Sequence, residues 1–255
     1  MEAKTALDLS VLLLDTLGYT PDEFVSIGHD ADGQFITAVG QPKNAGRFVS
    51  TLPDRANIFF GVNPVRGPAR QAAGRGTAED VTRLTALWCD LDIKPGGCPT
   101  MDVAHAIIAN LSIILGTRPS AIVDSGHGLH AYWPITDGHI ADGDTTAARA
   151  LIRRFGRLVA VAADTLHVGV DNVYDLPRML RVPGTFNNKN INGQGPTPVA
   201  AHPDTGGPLT MAEVDERLTE VGIDEVDDDR EAALEEISPP AGWAWARTPA
   251  STSPR

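Results

Sequence analysis

The segment Trp88-Cys89-Asp90-Leu91-Asp92-Ile93-Lys94, followed thirty-odd residues on by Ser125-Gly126-His127-Gly128-Leu129-His130-Ala131-Tyr132-Trp133, decides how this chain reads. Residues i and i+2 of an extended strand share a face, so Asp90 and Asp92 project together while Leu91 and Ile93 point the other way. Two carboxylates held that close repel unless a cation lies between them. Paired hard oxygens suit Mg²⁺ or Mn²⁺, which share their shell with waters and substrate phosphates. A lone D-x-D is more often a solvated strand end, so its company matters. The second segment is a glycine-containing turn, Ser125 to Gly128, that leads into a strand carrying His130. Glycines let backbone N–H groups approach phosphate closely, and Ser125 adds a hydroxyl.

Further on comes Val170-Asp171-Asn172-Val173-Tyr174-Asp175-Leu176-Pro177-Arg178-Met179-Leu180-Arg181-Val182-Pro183-Gly184-Thr185-Phe186-Asn187-Asn188-Lys189. The alternation of Leu166, Val168 and Val170 predicts a strand ending at Asp171, which favours Asp171 over Asp164 or Asp175 as a third carboxylate. Asp175 reads better as a cap or turn for the next segment.

Three motifs in this order, D-x-D at Asp90/Asp92, S-G-x-G-x-H from Ser125 to His130, and Val170-Asp171 with an R-x-x-R-x-P-G-T-x-N-x-K run, resemble the archaeo-eukaryotic primase superfamily. Its primase-polymerase branch, carried by phages and plasmids, is the nearest likeness. The match covers residues 55–200, roughly. It implies a nucleotidyltransferase with a two-ion Mg²⁺ or Mn²⁺ site on Asp90, Asp92 and Asp171, joining nucleoside triphosphates on a single-stranded DNA template. By the same likeness, Ser125, Gly128 and His130 bind the incoming triphosphate, and Lys189 is assigned to its phosphates. Arginine forks favour phosphate, so Arg178 or Arg181 is expected to reach triphosphate or template; a structural pair such as Arg178 with Asp175 is an equal alternative for either one. A helicase, fused or separate, is the partner such proteins often have.

The 255 residues, 42% hydrophobic, can bury one sizeable core or two small ones. No apolar run is long enough to span a membrane, and Met1 opens an amphipathic stretch rather than a signal peptide. A cytoplasmic protein with no membrane partner is expected, with Cys89 and Cys98 as reduced thiols. The net charge of −12 is unusual for a nucleic-acid enzyme, but Glu213 to Glu236 alone carries −10, leaving about −2 on the other 231 residues. Arg66, Arg70, Arg75 and Arg83 precede the first motif, and Arg149, Arg153, Arg154 and Arg157 fall at helical spacing after the second. The latter set is either a solvated face or a patch facing a nucleic-acid strand.

Apolar periodicity predicts helices over 3–17, 78–84, 101–115, 143–163 and 210–221, with Thr210 and Glu213 as a capping box. Strands are predicted at 24–27, 35–39, 57–62, 87–93, 121–124 and 129–135. The pattern is α+β, with the motif strands adjacent in one sheet; the resemblance implies a primase-like catalytic core whose RRM-like sheet bears the metal site, with an N-terminal α/β subdomain. The catalytic domain is expected over residues 1–222, and 223–255 as an acidic, then Pro/Ala/Ser/Thr-rich tail or linker. Two other functions compete. A replication-initiator nicking nuclease would use His127, His130 and Tyr132, but those histidines are three apart rather than two. An RRM-like binding module without chemistry has no use for the carboxylates. Tyr132 and Trp133 are expected to pack in the core.

Overall fold

Alternating buried and exposed positions build two four-stranded sheets, both antiparallel, among the residues that the computed structural model describes, 12–31, 34–67, 75–189 and 195–224. The N-terminal sheet begins as a hairpin of Val25–Ala31 (β1) and Gln34–Gly40 (β2). Asn57–Gly61 (β3) pairs on the other side of β1. One face of β1 and β3 carries Ile27, Ile58 and Phe60, all buried, as period-two burial requires. A helical segment, residues 12–16 (α1), precedes the sheet, and Pro42–Val49 (α2) follows the hairpin. Helix α2 was not expected: its run is too short and polar to show a clear stripe, yet Pro42 opens it and Ala45 and Val49 are buried.

The second sheet holds the motif strands. Ala86–Asp92 (β4) leads through Met101–Leu115 (α3) to Ala121–Asp124 (β5), and Gly128–Pro134 (β6) returns between β5 and β4. Thr100 caps α3 by accepting from the Val103 N–H, and Gly116, at φ 64°, ends it. Thr146–Asp164 (α4) follows β6. The chain then sends Met179–Arg181 (β7) back to the first sheet, beside β3, so a late segment completes the N-terminal subdomain. Phe186–Asn187 (β8) pairs with Thr197–Pro198 (β9), and Ala200–Pro203 (β10) closes the second sheet beside β5. A β4-α3-β5-β6-α4 succession, with β10 added later beside β5, therefore supports the site, and the mixture of helices and antiparallel sheets is the expected α+β class. Met211–Glu220 (α5) has the expected capping box, Thr210 with Glu213. Arg154 anchors it to α4: its Nε donates to the Ile223 carbonyl at 2.8 Å, and Nη2 donates to the Thr219 hydroxyl at 2.9 Å.

The two faces of β4 and β6 have different tasks. Leu87, Cys89, Leu91, Leu129, Ala131 and Trp133 lie on the helix side, where Trp133 meets Phe155 of α4 edge-on at 5.9 Å. Trp88, Asp90, His130 and Tyr132 lie on the other face, toward the N-terminal sheet, and Tyr132 contacts Phe60 with ring centroids 6.3 Å apart. Trp88, Tyr132 and Trp133 are fully buried, as core residues should be. Asn63 and Thr85 join the sheets: the Thr85 N–H donates to Asn63 Oδ1 at 2.9 Å, and Asn63 Nδ2 donates to the Leu176 carbonyl at 2.9 Å.

The alternation of Leu166, Val168 and Val170 does not form the expected strand. Helix α4 ends in a turn with His167 at φ 58°, and the segment through Asp171 runs irregularly. Its side-chain alternation reflects half-burial against the core without a ladder partner. The helix expected near 78–84 is a single 3₁₀ turn, Ala78–Asp80. Arg70, residues 3–11 of the expected first helix, and all of the expected tail after Asp224 lie outside the described residues.

One ion pair ties the segment before β1 to the segment that leads into β4. Arg83 Nε and Nη2 donate to Glu23 Oε1 and Oε2 at 2.7 and 2.8 Å. Burial, the largest influence, raises the Glu23 carboxyl, but hydrogen bonds from Arg83 and Thr20 outweigh it and hold the group below its usual range. A depressed carboxylate contributes stability above its unfolded pKa that is lost as pH falls through the folded value. Glu23→Gln should therefore cost about 1–3 kcal/mol at pH 7, with the gap to wild type shrinking in acid; urea titrations at pH 7 and pH 3.5 check it.

Candidate active site

The register of β4 on β6 sets Asp90 opposite His130 and Asp92 opposite Gly128. His130 Nε2 lies 3.4 Å from Asp90 Oδ1, and its Nδ1 lies 3.5 Å from the Tyr132 hydroxyl. The imidazole thus bridges the two groups, with Nε2 toward the carboxylate and Nδ1 toward the phenol. The tyrosine stays a donor because burial pushes its pKa well above the usual value. His130 is only 4% exposed and is seated against Asp90 rather than opened to solvent. Burial, the largest influence on Asp90, raises its carboxyl; His130, Arg178 and Lys189 together pull harder and hold it below the ordinary carboxylate range.

Asp92 and Asp171 meet through Lys94. The Lys94 ammonium lies 3.2 Å from Asp92 Oδ2 and 2.5 Å from Asp171 Oδ2, so one cation is already in contact with both. These two contacts, the largest from Asp171, raise the Lys94 pKa. The Asp171 segment reaches this position because Gly169 passes against the turn after β4, where a Cβ on it would stand 2.6 Å from the Gly96 carbonyl oxygen. Among the described residues no group of three His, Cys, Asp or Glu side chains converges closely enough to hold a metal ion by itself. Asp90 faces the same side of β4 as Asp92, and the donor set is all hard oxygen, which fits Mg²⁺ or Mn²⁺. Sequence reasoning gave Lys94 no role. Its signal was present: Asp90, Asp92 and Lys94 succeed one another at period two.

The turn that joins β5 to β6 has the glycine requirements expected of it. Gly126 has φ 86° and donates its N–H to Asp124 Oδ1 at 2.8 Å. A Cβ on Gly128 would stand 2.3 Å from the Leu91 carbonyl oxygen. Ser125 is buried, and its hydroxyl donates to the Gly128 carbonyl at 3.2 Å. Asn187 fastens the later motif to this turn, with Nδ2 donating to the Ser125 carbonyl at 2.8 Å and Oδ1 accepting from the Lys189 N–H at 3.1 Å. His127, in the variable position, has Nε2 3.3 Å from the Lys189 carbonyl oxygen. Lys189 itself is exposed beside the turn.

Of the two arginines, Arg178 makes the structural pair considered from sequence, with Nε 3.0 Å from Asp175 Oδ1 and 2.8 Å from the Val173 carbonyl oxygen. Arg75 completes this pair from the other side, 2.8 Å from Asp175 Oδ2. Arg181 is 5% exposed; its Nη1 donates to Asn57 Oδ1 at 2.9 Å, and its guanidinium lies 4.9 Å from the centre of the Phe59 ring. Burial lowers its pKa to about 10 against the fields of Asp90, Asp92 and Asp30. Arg181 thus brings a positive charge from the first sheet toward the carboxylates of the second. Asn57, which no sequence pattern marked, also accepts from the Asn188 N–H at 2.9 Å.

The protein has the fold of archaeo-eukaryotic primase catalytic domains. Three solved structures carry this likeness. The chain resembles the AEP domain of the primase-polymerase of cyanophage S-2L, with TM-score 0.57 and 15% identity over 83% of this chain and 97% of that one. It resembles the primase RepB′ with TM-score 0.54 and 15% identity, covering 91% of this chain and 66% of that one. The catalytic domain of RepB′ in complex with initiator DNA matches with TM-score 0.52 and 14% identity over 92% of this chain and all 100% of that domain. No protein-family profile and no curated protein matches the sequence. Among the described residues no helix is long and apolar enough to cross a membrane.

Proposed function

We propose that this chain is a DNA-dependent nucleotidyltransferase, a primase-polymerase catalytic domain that makes or extends primers on single-stranded DNA from nucleoside triphosphates. The observation that carries the reading is the shared cation position between Asp92 and Asp171, next to Asp90, at the end of β4 in a primase-like fold. Asp90, Asp92 and Asp171 are the residues that would hold Mg²⁺ or Mn²⁺, whose bound ions supply charge stabilisation for in-line phosphoryl transfer.

The chain's own groups divide the remaining work. His130 holds Asp90 ionised and oriented, and the Ser125–Gly128 turn with Lys189 lines the side where a triphosphate would lie. Arg181 adds fixed positive charge from the opposite sheet, where negative charge develops during transfer. Single-stranded template is the DNA partner, and a fused or separate helicase would supply it during replication.

The competing readings are less well supported. Tyr132 is fully buried with its hydroxyl on His130, so it is out of reach as the nucleophile of a nicking enzyme. A binding module without chemistry would gain nothing from Asp90 and Asp92 on one face of β4 with Asp171 brought to Asp92 through Lys94, since like charges cost stability. Incubation with labelled ribo- and deoxyribonucleoside triphosphates, Mn²⁺ and primed or unprimed single-stranded template tests the proposal. Template-dependent incorporation that disappears in Asp90→Asn is expected. Strand cleavage without triphosphate consumption would replace the reading with a nuclease, and binding with neither reaction would leave only a binding module.

A further inference from the structure

The turn after β4 folds back on the strand end beside the Lys94 stem. The Gly97 N–H donates to the Lys94 carbonyl at 2.9 Å, and the Cys98 N–H returns to the Asp92 carbonyl at 3.0 Å. A Cβ on Gly97 would stand 2.8 Å from the Asp92 carbonyl oxygen and 3.0 Å from Lys94 Cγ, so the bare glycine lets the turn close on the strand end with the lysine stem packed beside it. Gly96, at φ 80°, reverses the chain without the strain another residue would meet. The stem is thereby aimed back at Asp92 and across to Asp171, the two carboxylates whose Oδ2 atoms its ammonium touches.

An ammonium and a divalent cation cannot both occupy that position, because their charges repel and they compete for the same oxygens. We propose that Lys94 is a tethered counter-ion, which holds Asp92 and Asp171 together without metal and must withdraw from them for a divalent ion to bind. This rests on the assignment of Asp90, Asp92 and Asp171 as metal ligands. Lys94 is 39% exposed, so solvent lies open to the displaced ammonium. The consequence is a penalty on metal binding set by the lysine charge. Metal binds the free protein more weakly than the three carboxylates alone would allow, and the carboxylates do not repel one another while they wait.

The experiment titrates Mn²⁺ alone, without triphosphate or template, into the whole chain, and free Mn²⁺ is read by electron paramagnetic resonance. Exposed ion pairs are each worth up to the equivalent of a few-fold in affinity. K94M, which keeps the stem and removes the charge, should therefore bind Mn²⁺ about five- to ten-fold more tightly than wild type. K94R keeps the charge and should bind like wild type. In EDTA the melting midpoint of K94M should fall below that of wild type, and saturating Mn²⁺ should close the gap, a pattern that simple loss of packing does not give. D92N should lose the Mn²⁺ site and so identifies it. Unchanged or weaker binding by K94M, with D92N still defective, would overturn the counter-ion role and leave the metal site standing. Absence of Mn²⁺ binding in wild type and K94M, together with no nucleotide incorporation, would overturn the metal assignment and this inference with it.

Discussion

Asp92→Ala is expected to reduce templated nucleotide addition by about a thousand-fold, the equivalent of roughly 4 kcal/mol of transition-state stabilisation, while the protein stays folded. Asp92 ends β4 with 36% of its side chain exposed, whereas the neighbouring Leu91 is fully buried and carries the strand's packing. Its interaction with Lys94 is solvent-exposed and worth at most about 1 kcal/mol. A single-turnover incorporation assay in Mn²⁺ measures the first effect, and urea unfolding the second. Wild-type turnover in the variant would remove Asp92 from the metal site. The same pair of measurements separates Asp171 from Asp175. Asp171 meets the Lys94 ammonium and is 55% exposed, so its alanine variant should lose activity with little change in stability. Asp175 is engaged by Arg75 and Arg178. Its alanine variant should lose stability first, and activity only as far as Arg178 shifts.

The strands of the site were legible because their signal is local. Period-two alternation placed Asp90 and Asp92 on one face, and the glycines of the Ser125–Gly128 turn announced a tight connection; the structure pairs Asp92 with Gly128 and Asp90 with His130. Helix α3 was legible to its ends because Thr100 and Gly116 are capping residues at its boundaries. What escaped depends on partners distant in sequence. Alternation at Leu166, Val168 and Val170 shows half-burial, but a strand also needs a neighbour with free backbone groups, and α4 delivers the chain to none. The short strands β7 and β10 form only because the chain returns to sheets laid down earlier, and β8 and β9 form only by pairing with each other. Arginine chemistry was equally blind to tertiary context. Arg178 and Arg181 look alike in sequence, yet one is held by Asp175 and the other is buried on Phe59 and Asn57. Lys94 was overlooked because the two carboxylates beside it already suggested a metal.

His130→Ala should produce the second large effect, and it distinguishes two roles for this residue. Read from sequence, His130 contacts the incoming triphosphate; in the structure both ring nitrogens face protein groups, Asp90 and Tyr132. With the imidazole gone, burial, already the largest influence on Asp90, acts with less opposition and the carboxyl moves up. A depressed carboxylate stabilises the fold above its unfolded pKa and loses that contribution as pH falls through the folded value. The variant should therefore be about 1–3 kcal/mol less stable than wild type at pH 8. That gap should narrow once the pH drops below the carboxylate range, where wild-type Asp90 also gives up its charge. Mn²⁺ affinity should fall by about ten-fold or more through loss of an oriented, ionised ligand, and the KM for triphosphate should rise with it. His130→Gln, whose amide N–H can still donate to Asp90, should recover part of the stability and metal affinity. A rise in triphosphate KM alone, with stability and Mn²⁺ binding at wild-type levels, would return His130 to direct contact with phosphate and leave Asp90 to be held by Arg178 and Lys189.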